Sequence, residues 1–323
     1  MSYPKFVPHW IDEAETPSQD GGTFEKRRPS DDRVIAQVAR GGTAEVARAV
    51  ASAAAGATSW GRWPVPKRGA VLGKAAQLLR EREALFGDIV QQETGKPWKN
   101  AVAEVASSAD LAVFMEGEGS RLYGKTLPSP IPNRTVQTLR SPIGVCAAIM
   151  PFNSPLAGVA WKVFPALLCG NAVIAKSHEL TPYTAVAFGQ LLKDAGVPAG
   201  IYSALQGFGP DVGAALVQDD RVGVVSFTGS SATGTLVANS RMTSAAAEIS
   251  PMVSFLTRRP AMIAAISTGE TSPLMICRIS DSISSWNISQ FSMSRASASW
   301  GFITVSVTFF PRGSSSAVDG HAR

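Results

Sequence analysis

Asn153 closes the segment Met150-Pro151-Phe152-Asn153, directly after an apolar run from Ile143 to Met150. A side-chain amide at the end of a buried strand can donate a hydrogen bond to an oxygen on which negative charge develops. Taken alone, the same residue is as ordinary in a turn or cap. Lys176 and Glu179 stand just past a second apolar run, Ala172 to Ala175. A carboxylate there can accept from both hydroxyls of a ribose, and a lysine can donate to the same sugar; an exposed Lys–Glu loop pair is the plainer reading. Two glycine-bearing turns follow, Gly207-Phe208-Gly209 with Gly213 and Phe227-Thr228-Gly229-Ser230 with Gly234. Turns of this kind let backbone N–H groups approach a phosphate at a helix N-terminus. Neither spells the usual G-x-G-x-x-G.

The elements that must position these residues read as a βα series. Ile143 to Met150, Ala172 to Ala175, Tyr202 to Gln206 and Val222 to Phe227 are short apolar runs of strand length. Helices are predicted from Ser154 to Leu168, beginning near Pro155, from Thr181-Pro182 to Ala195, and from Asp211 to Val217. Thr-Pro is a favoured helix opening and Gly196 a favoured end. Alternation at this rhythm predicts an α/β fold, a Rossmann-like parallel sheet covered by helices on both faces. Lys176 and Glu179 then lie at the carboxyl edge, where open sheets bind ligands.

Upstream, the first 40 residues read as an extended arm with turns at Gly21-Gly22 and Pro29-Ser30. Thr43 is the predicted N-cap of a helix whose inner face carries Val46, Val50, Ala53, Ala54 and Ala57. Helices follow over Val71 to Leu79, Leu85 to Thr94 and Asn100 to about Gly117. Leu127-Pro128-Ser129-Pro130-Ile131-Pro132-Asn133 reads as a rigid connector, and Thr135 to Arg140 as a strand. The rhythm fails after Ser240. Residues 241–323 contain no lysine, and serine supplies 18 of those 83 positions.

Composition narrows the function classes. Thirty Lys and Arg against 25 Asp and Glu leave a net charge of +5, without a five-residue basic run. No nucleic-acid surface is expected. Cys146, Cys169 and Cys277 are odd in number and widely spaced, against a disulfide framework, and His9, His178 and His321 pair with none of them at zinc-ligand spacing. No metal site is expected. No apolar run reaches the ~18 residues of a membrane span, and the N-terminus does not read as a signal peptide. The expectation is a cytoplasmic protein with no membrane partner.

The four motifs together resemble the NAD(P)-dependent aldehyde dehydrogenase superfamily. Pro151-Phe152-Asn153 is similar to its P-[WF]-N motif. Trp161-Lys162, followed by Pro165-Ala166-Leu167-Leu168-Cys169-Gly170-Asn171, resembles its next helix and turn. Lys176-Ser177-His178-Glu179 resembles K-P-x-E, and Phe227-Thr228-Gly229-Ser230 matches F-T-G-S. Glu93-Thr94-Gly95-Lys96-Pro97 and the N-terminal arm fit as well. The resemblance covers about residues 5–240.

The resemblance implies that Asn153 is an oxyanion-stabilising amide and that Lys162 plays a supporting role. It implies that Lys176 and Glu179 bind the adenosine ribose, with Glu179 favouring NAD over NADP because a carboxylate repels a 2′-phosphate. Ser230, with Gly229 and the helix that follows, would hold the pyrophosphate. Gly209 and Gly213 would admit the adenine, while Ile149, Pro151, Phe152 and Phe227 would line the cleft. It further implies a discontinuous cofactor domain, 1–125 and 142–240, an oligomerisation arm over 126–141, a homo-oligomer and a small aldehyde as substrate.

The family oxidises an aldehyde through a cysteine thiolate and a glutamate that activates water. Its spacing places the glutamate near position 252 and the cysteine near 286, where this chain has Met252 and Trp286. Glu248 and Cys277 are the stand-ins that the sequence offers. The expectation is an aldehyde dehydrogenase by descent that is truncated, with the catalytic domain largely missing, inactive, and a weak binder of NAD. A non-catalytic nucleotide-binding or assembly module is the alternative. A reading-frame break after Ser240 is a third account of the Ser-rich tail.

Overall fold

The computed structural model describes residues 3–247, 278–279 and 307–309. Five short strands open the chain: β1 (Phe6–Val7), β2 (His9–Ile11), β3 (Ala14–Thr16), β4 (Thr23–Arg27) and β5 (Val34–Ala39). They are not a free arm. β4 and β5 form a hairpin with β1 beside β5, while β2 pairs antiparallel with a later strand at Trp10 and Ala204. The reason lies in the apolar residues of that stretch: Val7, Trp10 and Ile11 are buried, and burying them offsets the cost of ordering the segment.

Four helices follow: α1 (Thr43–Gly61), α2 (Val65–Glu81), α3 (Glu83–Thr94) and α4 (Trp98–Glu118). The N-cap of α1 is Gly42, not Thr43. Glu45 decides this, because its carboxylate accepts from the Gly42 N–H at 2.8 Å and the Gln19 N–H at 2.8 Å. Of the predicted inner face, Val46, Val50, Ala53 and Ala57 are buried and Ala54 is exposed. The Pro-rich connector is partly a strand: β6 (Thr126–Pro128) pairs antiparallel with β7 (Thr135–Gln137), and this hairpin is largely exposed. β8 (Arg140–Ser141) leads back to the sheet.

The βα series is β9 (Val145–Ile149), α5 (Pro155–Leu168), β10 (Ala172–Lys176), α6 (Pro182–Ala195), β11 (Tyr202–Leu205), a π-helical turn over Gly209–Gly213, α7 (Ala214–Gln218), β12 (Val222–Phe227) and α8 (Ser231–Ala247). β13 (Arg278–Ile279) pairs with β8, and β14 (Val307–Phe309) with β12. The seven-stranded sheet has the order β14-β12-β9-β10-β11-β2-β3. β12, β9, β10 and β11 are parallel to one another; β2 and β14 are antiparallel neighbours at either side.

Side chains alternate across this sheet with period two. Cys146, Ala148, Val173 and Ala175 face a core built with α2 to α6. Val145, Ala147, Ala172 and Ile174 face a second core built with α1 and α7. Burial on both faces is why these strands read as unbroken apolar runs. From β9 the chain winds outward through β10 to β11, then returns to place β12 on the other side of β9. The strand order therefore reverses between β9 and β12, and such a switch point opens a crevice at the carboxyl edge.

Candidate cofactor and active site

Most of the residues singled out above converge on that edge. Ile149 ends β9 and is half-buried; its carbonyl accepts from the Thr228 N–H at 3.1 Å, closing the floor of the crevice between β9 and β12. Pro151 lines a narrow cleft together with Met150, Pro155, Ser177 and His178. Phe152 is exposed, with the His178 ring at 5.1 Å in an edge-on contact. Asn153 is exposed on the loop between β9 and α5.

Two residues outside the predicted set brace that loop. Lys96 donates to the Asn153 carbonyl at 2.9 Å and pairs with Glu104, which is buried on α4. The other oxygen of Glu104 accepts from the N–H groups of Leu156 and Ala157, at 2.8 and 3.0 Å. Glu104 thus satisfies the first free donors of α5 from a different helix. Glu93 does the same for α6. Buried beneath that helix, it accepts from the N–H groups of Tyr183, at 2.6 Å, and Thr184, at 3.2 Å, and from the hydroxyls of Tyr3 and Thr184. A lone glutamate within a helical run carries no sequence mark of this use. Only the resemblance of Glu93-Thr94-Gly95-Lys96-Pro97 to a family motif hinted at Glu93 and Lys96.

These carboxylates decide where an anion can go. The N-termini of α5 and α6 are plugged. α8 is different: Ser230 to Thr233 are exposed, and Ser230 Oγ caps the Thr233 N–H at 3.2 Å. Arg241 holds α8 in place, donating to the Val217 and Asp219 carbonyls at 3.2 Å each and to the Val222 carbonyl. The helix runs seven residues past Ser240. Beneath its first turn lies Phe227. That ring is buried, not spread along an open cleft, and a Cβ on Gly229 would come within 2.5 Å of it. Glycine is required at 229 by this close approach.

Lys176 and Glu179 meet at the end of β10. Lys176 Nζ is 3.4 Å from Glu179 Oε2, and Lys176 is buried while Glu179 is part-exposed. Burial lowers the Lys176 ammonium. Although partial burial works against ionisation of Glu179, a backbone hydrogen bond and the Lys176 charge hold its carboxyl below the usual range. Ser177 ties this loop to the end of β11. Its hydroxyl and N–H both donate to the Leu205 carbonyl at 3.3 Å, and it bonds Gln206 as well. A proline here would forfeit the backbone bond.

Gly209 and Gly213 form the ends of the π-helical turn. Neither has a positive φ, and a Cβ on either would meet no described atom within 4 Å. Among the described residues, neither backbone nor neighbour demands glycine, so the pair leaves a cradle that side chains would fill.

Lys162 sits under the crevice. It is fully buried on α5, donates to Ser226 Oγ at 3.1 Å and Thr228 Oγ1 at 2.7 Å, and burial pulls its ammonium down to about 7. Cys146 is buried in β9, and its thiol is pushed far up by burial, as expected of a packing residue. Glu248 and Cys277 lie outside the described residues. Among the described residues there is no cluster of His, Cys, Asp or Glu that could hold a metal, and no helix long and apolar enough to cross a membrane.

A crevice at a topological switch point is where open α/β sheets bind nucleotides and other ligands, and here a Lys–Glu pair and an exposed helix N-terminus stand at its edge. The family model of the aldehyde dehydrogenase family matches residues 16–252, and the chain belongs to that family. It is 38% identical over 225 residues to the mitochondrial succinate-semialdehyde dehydrogenase of Arabidopsis thaliana, covering 70% of this chain and 42% of the relative. An NADP-dependent enzyme from E. coli superposes with a TM-score of 0.72 at 28% identity, covering 74% of this chain and 50% of the other. The P. syringae indole-3-acetaldehyde dehydrogenase, solved with NAD+, superposes with a TM-score of 0.72 at 32% identity, covering 74% and 48%. The family uses NAD(P) and acts on aldehydes. The chain spans less than half the length of the curated relatives it matches.

Proposed function

We propose that residues 1–125 and 142–240, with the rest of α8, form the cofactor-binding half of an aldehyde dehydrogenase, and that residues 126–141 are an oligomerisation arm serving a homo-oligomer. The carrying observation is the difference between helix N-termini: Glu104 and Glu93 occupy those of α5 and α6, while that of α8 is exposed beside Ser230. Lys176 and Glu179 hold the adenosine ribose, Gly209 and Gly213 accept the adenine, and Ser230 with the first turn of α8 holds the pyrophosphate. Glu179 favours NAD over NADP by charge repulsion. When bound, the nicotinamide supplies hydride acceptance. Asn153 then offers its amide to the aldehyde oxygen.

This chain alone does not oxidise aldehydes in our reading. Asn153 can stabilise an oxyanion only after a nucleophile has created one, and the family's positions for base and nucleophile carry Met252 and Trp286. The test is purified chain with NAD and aliphatic and aromatic aldehydes, following NADH absorbance. No turnover is expected; turnover abolished by Cys277→Ala makes Cys277 a relocated nucleophile and overturns this reading.

A further inference from the structure

We propose that His178 sets how strictly the site rejects a phosphate on the adenosine 2′-oxygen, by exchanging the partner of its Nδ1 atom. The proposal rests on the reading that Lys176 and Glu179 hold the ribose.

The geometry places two claimants on one nitrogen. His178 Nδ1 accepts from the Leu180 N–H at 3.2 Å, and it lies 3.6 Å from Glu179 Oε2. The same Oε2 is 3.4 Å from Lys176 Nζ. A neutral imidazole nitrogen has one lone pair, so in accepting from Leu180 it offers Glu179 no hydrogen. Glu179 is then compensated by Lys176 alone, and the three groups sum to zero charge. When the ring gains a proton, Nδ1–H can donate to Oε2 and must release Leu180. The trio then carries a net +1, and Glu179 has two cationic neighbours on one oxygen. A negatively charged 2′-phosphate is repelled in the first state and accommodated in the second.

The surroundings keep the exchange local. The ring is held edge-on to Phe152 at 5.1 Å. Around it stand Met150, Pro151 and Pro155 from the β9–α5 side, and Thr181 and Ala185 from α6, none of them charged. Lys176 and Glu179 are the charged groups that face it among the described residues. Burial lowers the imidazolium below its ordinary range, so the change falls on the acid side of neutrality.

The experiment measures calorimetric affinities of the full chain for 5′-AMP and for adenosine 2′,5′-bisphosphate. Both probes lack the nicotinamide. The readout is the ratio of bisphosphate to monophosphate affinity at about pH 7.5 and about pH 5.5. Protonation of the phosphate itself changes this ratio in any variant, and His178→Gln carries that background. The ratio should rise on acidification about three- to fivefold more in the unaltered chain than in His178→Gln. His178→Lys, a fixed cation, should hold the ratio high at both pH values. An equal pH response in the unaltered chain and His178→Gln overturns the proposal while leaving the ribose site standing. Affinity for 5′-AMP that is absent, or indifferent to Glu179→Gln, removes the ribose reading and the proposal with it.

Discussion

Lys162 places an ammonium in the protein core beside two hydroxyls and, among the described residues, no carboxylate. That choice has a measurable consequence. Its folded pKa, about 7, lies below the ordinary lysine value of 10.5 expected when the chain unfolds. Between those values the unfolded state binds more protons, so stability rises with pH from about 7 to about 10.5, and the full cost of burying the charge is present below 7. Urea unfolding at about pH 7 and about pH 9 should show a gain on the order of 1–2 kcal/mol that is missing in Lys162→Met. A parallel response in both proteins removes Lys162 from the account. His9 gives a dependence of the same sign at the acid end of the scale. Its Nδ1 accepts from the Gln206 N–H at 3.0 Å, and burial lowers its pKa from 6.5 to about 4. The stability tied to the neutral ring is present above 6.5 and lost as pH falls through that window. His9→Asn, which keeps an acceptor but does not titrate, should flatten the dependence of the urea midpoint between about pH 6.5 and about pH 4.

Among the elements, the N-termini of α5 and α6 are closed by carboxylates, while that of α8 is exposed. Glu104→Gln keeps an acceptor for the α5 donors but loses its charge and the pair with Lys96. It should destabilise the fold by about 1–2 kcal/mol, and a cycle with Lys96→Met should show coupling between the two positions. The π-helical turn offers a cleaner separation of fold from function. Gly209→Val introduces a side chain into space that no described atom fills, so stability should change by less than about 0.5 kcal/mol. Affinity for ADP-ribose should nevertheless fall. If stability and affinity drop together, the turn is a structural glycine and not part of a cradle. These elements differ in how far the sequence reveals them. β12 is read with its observed bounds, because the mostly apolar six-residue run between Arg221 and Thr228 has no competing period. The cap of α1 is misplaced by one residue, because the deciding carboxylate, Glu45, also bonds Gln19 far back in the chain.

For the molecule as a whole, the doubly wound sheet is legible because strands buried on both faces must be apolar throughout, and the turns between them must carry glycine and proline. The N-terminal strands are not, because β2 finds its partner in β11, almost the full length of the described fold away. Neither period nor propensity reports such a pairing. The candidate site divides in the same manner. Lys176, Glu179, Ser230 and the glycines belong to local motifs and are visible as such. Glu104 and Arg241 act across the fold on backbone groups of other elements, and His178 acquires its meaning only through the distance from its ring to Glu179. The claim that most of the rest depends on is that this edge binds the adenosine half of NAD(P). Calorimetric titration of the full chain with ADP-ribose tests it directly, since that ligand carries adenine, ribose and pyrophosphate without the nicotinamide. Saturable binding weakened about tenfold by Glu179→Gln and again by Ser230→Ala is the predicted result. Binding that neither substitution changes, or no saturable binding, contradicts it.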